Sequence, residues 1–253
     1  WERCIYTQSN TLCLTPTIAS SLCHIVRDIE KAKNNASSFN SIHSTAGVLH
    51  KGVRQKFYKL FGKPLQDCYG LTELGGPLTI QTSDDAVTLH NSGKPMPSLN
   101  FSFRKNSTGD TEMWLKSPNI MKGYVTQEGI SLPTDENGFM PTGDIAEIID
   151  GNLIVTGRIK DVIIKGSENI FPVIIENEIS PLSGVREVTV VGIKHEFWGE
   201  TIIGCVIPEE NIDEAELLTK LKSYSSKHLN PIYRPEKWMI LKDFPRTSTG
   251  KIK

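Results

Sequence analysis

Three short groups of residues have the types and spacing to act on a phosphate-bearing ligand. Tyr69-Gly70-Leu71-Thr72-Glu73 follows a predicted strand, and open α/β sheets bind ligands at the carboxyl ends of their strands. A hydroxyl beside a carboxylate, Thr72 and Glu73, suits a phosphate oxygen and a Mg²⁺ ion, because Mg²⁺ takes hard oxygen ligands and shares them with substrate phosphates. Tyr69 offers a flat ring for stacking. Thr142-Gly143-Asp144 reads as a turn before a strand, where a carboxylate accepts hydrogen bonds from both hydroxyls of a ribose. Pro245 to Lys251 (P-R-T-S-T-G-K) is a Ser/Thr/Gly loop ending in a cation, and Lys251 would neutralise charge on a phosphoryl or carboxylate group. Each group also has a plainer reading. Thr72 is a helix-capping type and Glu73 suits a helix start. Asp144 is a common turn residue, and Lys251 is a solvated lysine near a terminus.

Other chemistries are absent from the pattern. The P-R-T-S-T-G-K segment lacks the first Gly and the final Ser/Thr of a Walker A loop. The six histidines show no H-x-x-x-H or H-E-x-x-H spacing. There is no G-x-S-x-G elbow and no basic stripe with interleaved aromatics, so nucleic acid is not an expected partner. Net charge is −1, which draws the chain to neither nucleic acid nor an acidic membrane. Five scattered cysteines without C-x-x-C pairing point to a reduced, cytoplasmic protein. No apolar run reaches the roughly 20 residues of a membrane span. The chain starts at Trp1 and stops at Lys253 directly after a patterned segment, so a piece of a longer chain is expected.

The elements that position these groups follow from periodicity. Thr11 to Pro16 reads as a short buried strand. Pro16 then opens a helix with Ile18, Leu22, Ile25, Val26 and Ile29 on one face. Asn34 to Ser38 reads as a loop and Ser41 to Thr45 as a strand. Val53, Phe57, Leu60 and Phe61 mark a second helix ended by Gly62 and Pro64, and Leu65 to Tyr69 a further strand. This alternation suggests a parallel α/β layer. After Gly76 come short alternating runs (99–104, 112–116, 145–149, 153–156), with Asp150-Gly151 as a hairpin signal; they read as a small antiparallel sheet or barrel. From Pro172 the order helix, strand, strand, helix, strand makes a small α+β module. Thr156 to Pro172 joins the two parts, and its basic pair, Arg158 and Lys160, lies in the linker; a surface loop within one domain fits the same pattern.

Taken together, Y-G-L-T-E (69–73), E-M-W-L-K-S-P-N-I-M-K-G-Y (112–124), G-F-M-P-T-G-D (138–144), G-R-I-K-D-V-I-I-K-G-S-E-N-I-F-P (157–172) and P-R-T-S-T-G-K (245–251) occur in one order. That series resembles the acyl-adenylate-forming (AMP-binding) superfamily of acyl-CoA synthetases, luciferases and peptide-synthetase adenylation domains. The wording is most like the CoA-ligase branch and covers the C-terminal half of such an enzyme. The resemblance implies an α/β fold in which residues 1–158 are the end of a large nucleotide- and acyl-binding domain. Residues 159–253 are then a small mobile α+β domain hinged at 158–161.

It further implies a carboxylic acid activated by ATP with Mg²⁺ to an acyl-AMP, then passed to the thiol of CoA. The alternatives are loading of a carrier protein, or a degenerate nucleotide-binding module without catalysis. Oligomeric state is left open. By the resemblance Gly47, Tyr69, Gly70, Thr72, Asp144, Arg158 and Lys251 bind ATP or AMP, with Tyr69 on adenine and Asp144 and Arg158 on ribose. Glu73 holds Mg²⁺, Lys251, Thr72 and Glu73 are catalytic, and Lys160 is the hinge. Gly166, Ser167 and Glu168 face the thiol, and Gly70, Leu74 and Gly75 line the acyl pocket. The sequence departs from the family at Ser44-Thr45-Ala46-Gly47, Thr111, Ser167 and Ile174, and it contains no Gly-rich Ser/Thr phosphate loop. The chain alone is therefore expected not to turn over ATP.

Overall fold

The structure is a computed structural model that describes residue 4 and residues 6–88, 91–248 and 252. It divides into two compact units, one formed by Trp1–Leu65 with Asp161–Lys253 and the other by Gln66–Lys160.

The first unit begins with β1 (Thr11–Leu14), paired in parallel with β2 (Ser41–Thr45). Between them run α1 (Pro16–Ile25) and α2 (Ile29–Ser37). Pro16 occupies the first turn of α1, where a missing N–H costs nothing, and Thr15 caps it by accepting from Ile18 N. Two expectations fail here. The face of α1 that turns to the core carries Ala19, Ser20 and Cys23, whereas Ile18 and Ile25 are 49% and 66% exposed. The segment read as a loop from Asn34 is the second half of α2. Its buried face is only Ala32 and Ala36, one turn apart, and its start is fixed by Asp28 accepting from Lys31 N. Of β1, only Leu14 is buried.

The next helix, α3 (Lys51–Phe61), buries Arg54, Phe57 and Phe61. It ends at Gly62, whose φ of 66° is a left-handed conformation that glycine adopts without a Cβ clash. Leu14, Ala19, Phe39, Ile42, Phe57, Phe61 and Leu65 form this part's core.

In the second unit, β3 (Gln66–Cys68) leads into the Tyr69 segment, and α4 (Ser83–Thr88) follows. The main body is a four-stranded antiparallel sheet. Its strands are β4 (Asn100–Lys105), β5 (Thr111–Lys116), β8 (Met140–Ile149) and β9 (Asn152–Arg158), in the order β9-β8-β5-β4. A separate hairpin, β6 (Tyr124–Thr126) and β7 (Gly129–Ser131), lies between β5 and β8 in sequence. Asp150 and Gly151 turn β8 into β9 with φ of 50° and 76°, the paired positive values that match the twist of a two-residue hairpin. Leu74, Leu78, Met113, Leu115, Met140, Ala146 and Leu153 pack as its core.

The first unit resumes with β10 (Ile163–Lys165), β11 (Glu168–Ile170) and α5 (Pro172–Ile179). Then follow β12 (Val185–His195), β13 (Gly199–Pro208), α6 (Glu214–His228) and β14 (Lys237–Ile240). Strand order is β11-β10-β13-β12, with β14 parallel to β13; the helix, strand, strand, helix, strand order read from Pro172 onward is present, preceded by the antiparallel pair β10–β11. One sheet face carries Val188, Val190, Ile202 and Val206 against Ile175, Ile179, Leu217 and Leu221 of the helices. The other carries Ile203, Cys205 and Ile207 with Phe244. Ile174 is 38% exposed, whereas Ile175 and Ile179 of the same helix are buried. Among the described residues no helix is long and apolar enough to cross a membrane.

Candidate nucleotide-binding site

The site in the second unit is built on a defect in β8. Thr142-Gly143-Asp144, read from sequence as a turn, lies inside the strand Met140–Ile149, and the register against β5 shifts between Pro141 and Ile145. Gly143 has φ 71° and open space where a Cβ would sit, so glycine is required there for its dihedral angle rather than for room. The extra backbone groups of this bulge are satisfied locally. Thr142 Oγ1 donates to Met113 O (2.6 Å) and accepts from Asp144 N (3.1 Å), and Gly143 N donates to Glu112 Oε1 (3.1 Å). Bulges of this kind re-aim a side chain. Here the side chain is Asp144.

Asp144 is 3% exposed. Its Oδ2 accepts from the Tyr69 hydroxyl at 2.5 Å and its Oδ1 from Arg158 Nε at 2.8 Å. Arg158 stands opposite Asp144 in the β8–β9 register. A buried carboxylate needs such partners, because its desolvation is otherwise severe. Burial pushes the Tyr69 phenol well above its ordinary range, and the Asp144 charge pushes it in the same direction. Tyr69 therefore stays protonated and donates. Its backbone is pinned as well, since Tyr69 O accepts from both Leu78 N and Thr79 N.

One step further along, Gly70 and Leu71 pair with Pro77 and Gly76. A Cβ on Gly70 would sit 2.5 Å from Gly76 O, so only glycine allows this pairing. Thr72 to Leu74 form a single 3₁₀ turn, not the start of a helix, closed by Gly75 at φ 79°. Thr72 is exposed, Glu73 half-buried and Leu74 2% exposed in the core. Tyr124 donates to Glu73 Oε1 at 3.0 Å, and Met121 N donates to Glu73 O. A hydroxyl and one carboxylate on an exposed turn fit Mg²⁺, an ion that keeps several waters and shares substrate phosphates; among the described residues no cluster of three or more metal-ligating side chains occurs.

The structure thus brings Tyr69, Asp144 and Arg158 into one bonded cluster, with Gly70, Thr72, Glu73, Leu74 and Gly75 on the segment that follows Tyr69. Lys160 is exposed at the end of this unit. Gly47, Gly166, Ser167 and Glu168 belong to the first unit. Gly47 has no special dihedral angle, and its position meets only the Pro16 ring at 3.5 Å; the strained residue beside it is Ala46, at φ 70°. Gly166 turns β10 into β11 at φ 65° and donates to Trp198 O, with Ser167 and Glu168 exposed beside it. Lys251 lies outside the described residues. Sequence reasoning missed Glu112 and Tyr124 as supports of the site. Both end the E-M-W-L-K-S-P-N-I-M-K-G-Y segment, which was quoted as a pattern without a role.

The mixed α/β fold matches structures of adenylate-forming enzymes. The AMP-binding enzyme family model matches residues 3–125, and the AMP-binding enzyme C-terminal domain model matches residues 174–251. The chain belongs to the AMP-binding enzyme family. It is 32% identical over 197 residues to 2-succinylbenzoate–CoA ligase of Staphylococcus epidermidis, covering 75% of this chain and 40% of that protein. It is 33% identical over 195 residues to the Listeria monocytogenes ligase of the same name, covering 75% and 39%. Among solved structures, ATP-bound MatB from Rhodopseudomonas palustris superposes with a TM-score of 0.83 at 24% identity, covering 99% of this chain and 51% of that one. The o-succinylbenzoate CoA synthetase of Bacillus subtilis, in complex with its acyl-adenylate OSB-AMP, gives 0.79 at 23% identity with the same coverage. The chain spans about two fifths of the length of the curated ligases it matches.

Proposed function

We propose that the protein containing this chain is an acid–CoA ligase that works through an acyl-adenylate. The Asp144 cluster carries this reading, together with family membership. A carboxylate fixed by Tyr69 and Arg158 still has free lone pairs for ribose hydroxyls, and Arg158, partly exposed, adds positive charge beside them. Tyr69 presents its ring for adenine on the segment that leads to Thr72. Thr72 holds the α-phosphate, and Glu73, oriented by Tyr124, holds the Mg²⁺ that accompanies ATP. Gly70, Leu74 and Gly75 border the acyl group.

In this reading the substrate carboxylate attacks the α-phosphorus of ATP. An acyl–oxygen–phosphorus bond forms and pyrophosphate leaves. Lys251 offsets charge on the phosphoryl group as it transfers. The sulfur of CoA then attacks the acyl carbon, its thiol proton passes to solvent, and AMP departs. Residues 1–158 act as the nucleotide-holding domain and 159–253 as the moving one, pivoting at Lys160. Movement exchanges Lys251 for the Gly166-Ser167-Glu168 turn, which faces the thiol. Relatives named for 2-succinylbenzoate make that aromatic acid the first substrate to test.

The test is carboxylate-dependent ATP–pyrophosphate exchange by the intact protein, followed by thioester formation with CoA or with a phosphopantetheinylated carrier. Lys251→Ala is expected to slow exchange at least roughly 100-fold while sparing thioester formation from supplied acyl-AMP. Equal loss of both half-reactions would remove Lys251 from the first step. Exchange absent with every acid tried, in protein that still binds ATP, would favour a binding module. The isolated 253-residue chain, which contains no Gly-rich phosphate loop, is expected to show no exchange.

A further inference from the structure

The start of α3 lacks a cap of its own. His50 stands at the capping position without a side-chain bond to the helix. The first N–H groups of a helix have no partner within it, and here two of them are satisfied from far along the chain. Lys51 N donates to Asn177 Oδ1 and Gly52 N to Ser180 Oγ, both at 3.1 Å. Asn177 belongs to α5, and Ser180 is its last capping residue.

The two backbones also meet. A Cβ on Gly52 would lie 2.1 Å from Ser180 O and 2.4 Å from Ser180 C, so position 52 admits no other residue while α5 is in place. Gly52 is not at a turn and has no positive φ. Within a helix, where glycine costs stability relative to alanine, close approach is the reason for it. Ser180 O, at the carboxyl end of α5, lies beside the amino end of α3, where partial negative charge is favourable. A charge pair, Lys56 Nζ to Glu209 Oε1 at 2.5 Å, and a polar contact, His50 Nε2 to Glu176 Oε2 at 3.8 Å, flank the surface.

We propose that this surface is a latch, in which the first turn of α3 is the docking face for the carboxyl-terminal module (residues 159–253) and is capped by it only in the docked state. The partner is the chain's own α5. Hydrogen bonds and a charge pair, with a glycine in place of an apolar plug, make a contact that opens into water without stranding buried hydrophobic surface. The proposal rests on the reading that residues 159–253 move as a body.

Amide hydrogen exchange on the whole 253-residue chain tests it without any catalytic assay. The Asn177→Ala/Ser180→Ala variant is expected to lose at least tenfold of the protection at Lys51 and Gly52. Amides of β13 (Ile202, Val206) and of Phe57 should keep theirs. Gly52→Ala, whose Cβ would meet Ser180 O, should do the same. Unchanged protection at Lys51 and Gly52 overturns the latch. So does a parallel loss of protection at Phe57 and in β13, which marks static packing. Because the readout is structural, a failed latch leaves the ligase reading standing, and absent pyrophosphate exchange leaves the latch standing.

Discussion

The Tyr69 hydroxyl donates to Asp144 Oδ2 across 2.5 Å, joining residues that are 75 positions apart in the chain. The bond couples the end of β3 to the bulge in β8, and Arg158 completes it from β9. Removing one partner of a buried charged group costs more than the mean worth of a hydrogen bond, because the group left behind stays desolvated. Tyr69→Phe keeps the ring and removes only the donor. It is expected to destabilise the chain by about 1–3 kcal/mol in urea unfolding. Nucleotide affinity of the intact protein should fall less than for Tyr69→Leu, which also removes the stacking surface. Equal affinity of the two variants would show that the ring contributes nothing to binding.

Arg158→Lys tests geometry against charge at the same carboxylate. The bond to Asp144 Oδ1 comes from Nε, inside the planar guanidinium, and an ammonium cannot reproduce that fork while also facing a ligand. Nucleotide affinity is expected to drop roughly tenfold, equivalent to about 1.4 kcal/mol, measured by titration calorimetry. Wild-type affinity in Arg158→Lys would mean that net charge suffices.

Gly204 illustrates a steric requirement in the carboxyl-terminal sheet. Its ideal Cβ would fall 2.2 Å from the Trp238 ring. Trp238 is 4% exposed and held by its Nε1 donating to Ser225 Oγ at 3.2 Å, so it has nowhere to retreat. Gly204→Ala should therefore cost about 1–3 kcal/mol or more, as overpacking does. Adding Trp238→Leu should recover part of that loss, and the two changes should be strongly non-additive in a double-mutant cycle.

Much of this architecture was legible because it is periodic. The Asp150-Gly151 hairpin and the helix–strand–strand–helix–strand order after Pro172 each show a clear pattern at the right spacing. What escaped had physical causes. The buried face of α2 is two alanines, too small for an apolar count to register, within a segment rich in Asn and Ser. α1 turns Ala19 and Cys23 inward and its isoleucines outward, a choice made by neighbours that periodicity does not see. Thr142-Gly143-Asp144 has the composition of a turn, yet the strand continues, because Glu112 and Thr142 satisfy the extra backbone groups. The site residues Tyr69, Asp144 and Arg158 were named from sequence, but their mutual bonding depends on that bulge. A bulge has no periodic signature.

Thiol reactivity separates the cysteines. Cys13 is exposed, whereas Cys23, Cys68 and Cys205 are buried. Burial pushes the Cys23 thiol up to about 12 and raises Cys205 as well, which removes the reactive thiolate at neutral pH. Iodoacetamide on the folded chain should label Cys13, with Cys23 and Cys205 modified only in denaturant. Peptide mapping by mass spectrometry reads this directly; rapid labelling of Cys23 in the folded state would contradict its burial against α3.

Acid stability should depend on two groups that act in opposite directions. The His24 imidazole is pushed down to about 4, first by burial and then by the positive charges of Lys56 and Arg186, with Glu209 and Glu210 opposing. The folded chain therefore holds His24 neutral between pH 6.5 and about 4, whereas the unfolded chain protonates it, so stability falls as pH drops through that window. A displacement of that size corresponds to about 3 kcal/mol in full. Solvent screening at a half-buried position reduces it to on the order of 1 kcal/mol.

Glu176 is the reverse case. Burial, helped by Asp161, raises its carboxyl above the ordinary 4.5, while His50, the Val190 N–H and the Thr189 hydroxyl pull the other way. Its contribution is present below the unfolded value and is lost as pH rises through the folded one. His24→Gln should therefore flatten the acid limb of the stability profile. Glu176→Gln should do the opposite, removing the term that opposes that limb and steepening the rise of stability with pH from 4.5 upward. Urea unfolding at half-unit pH steps from 4 to 7 measures both. An identical change in slope for the two variants would contradict the assigned signs.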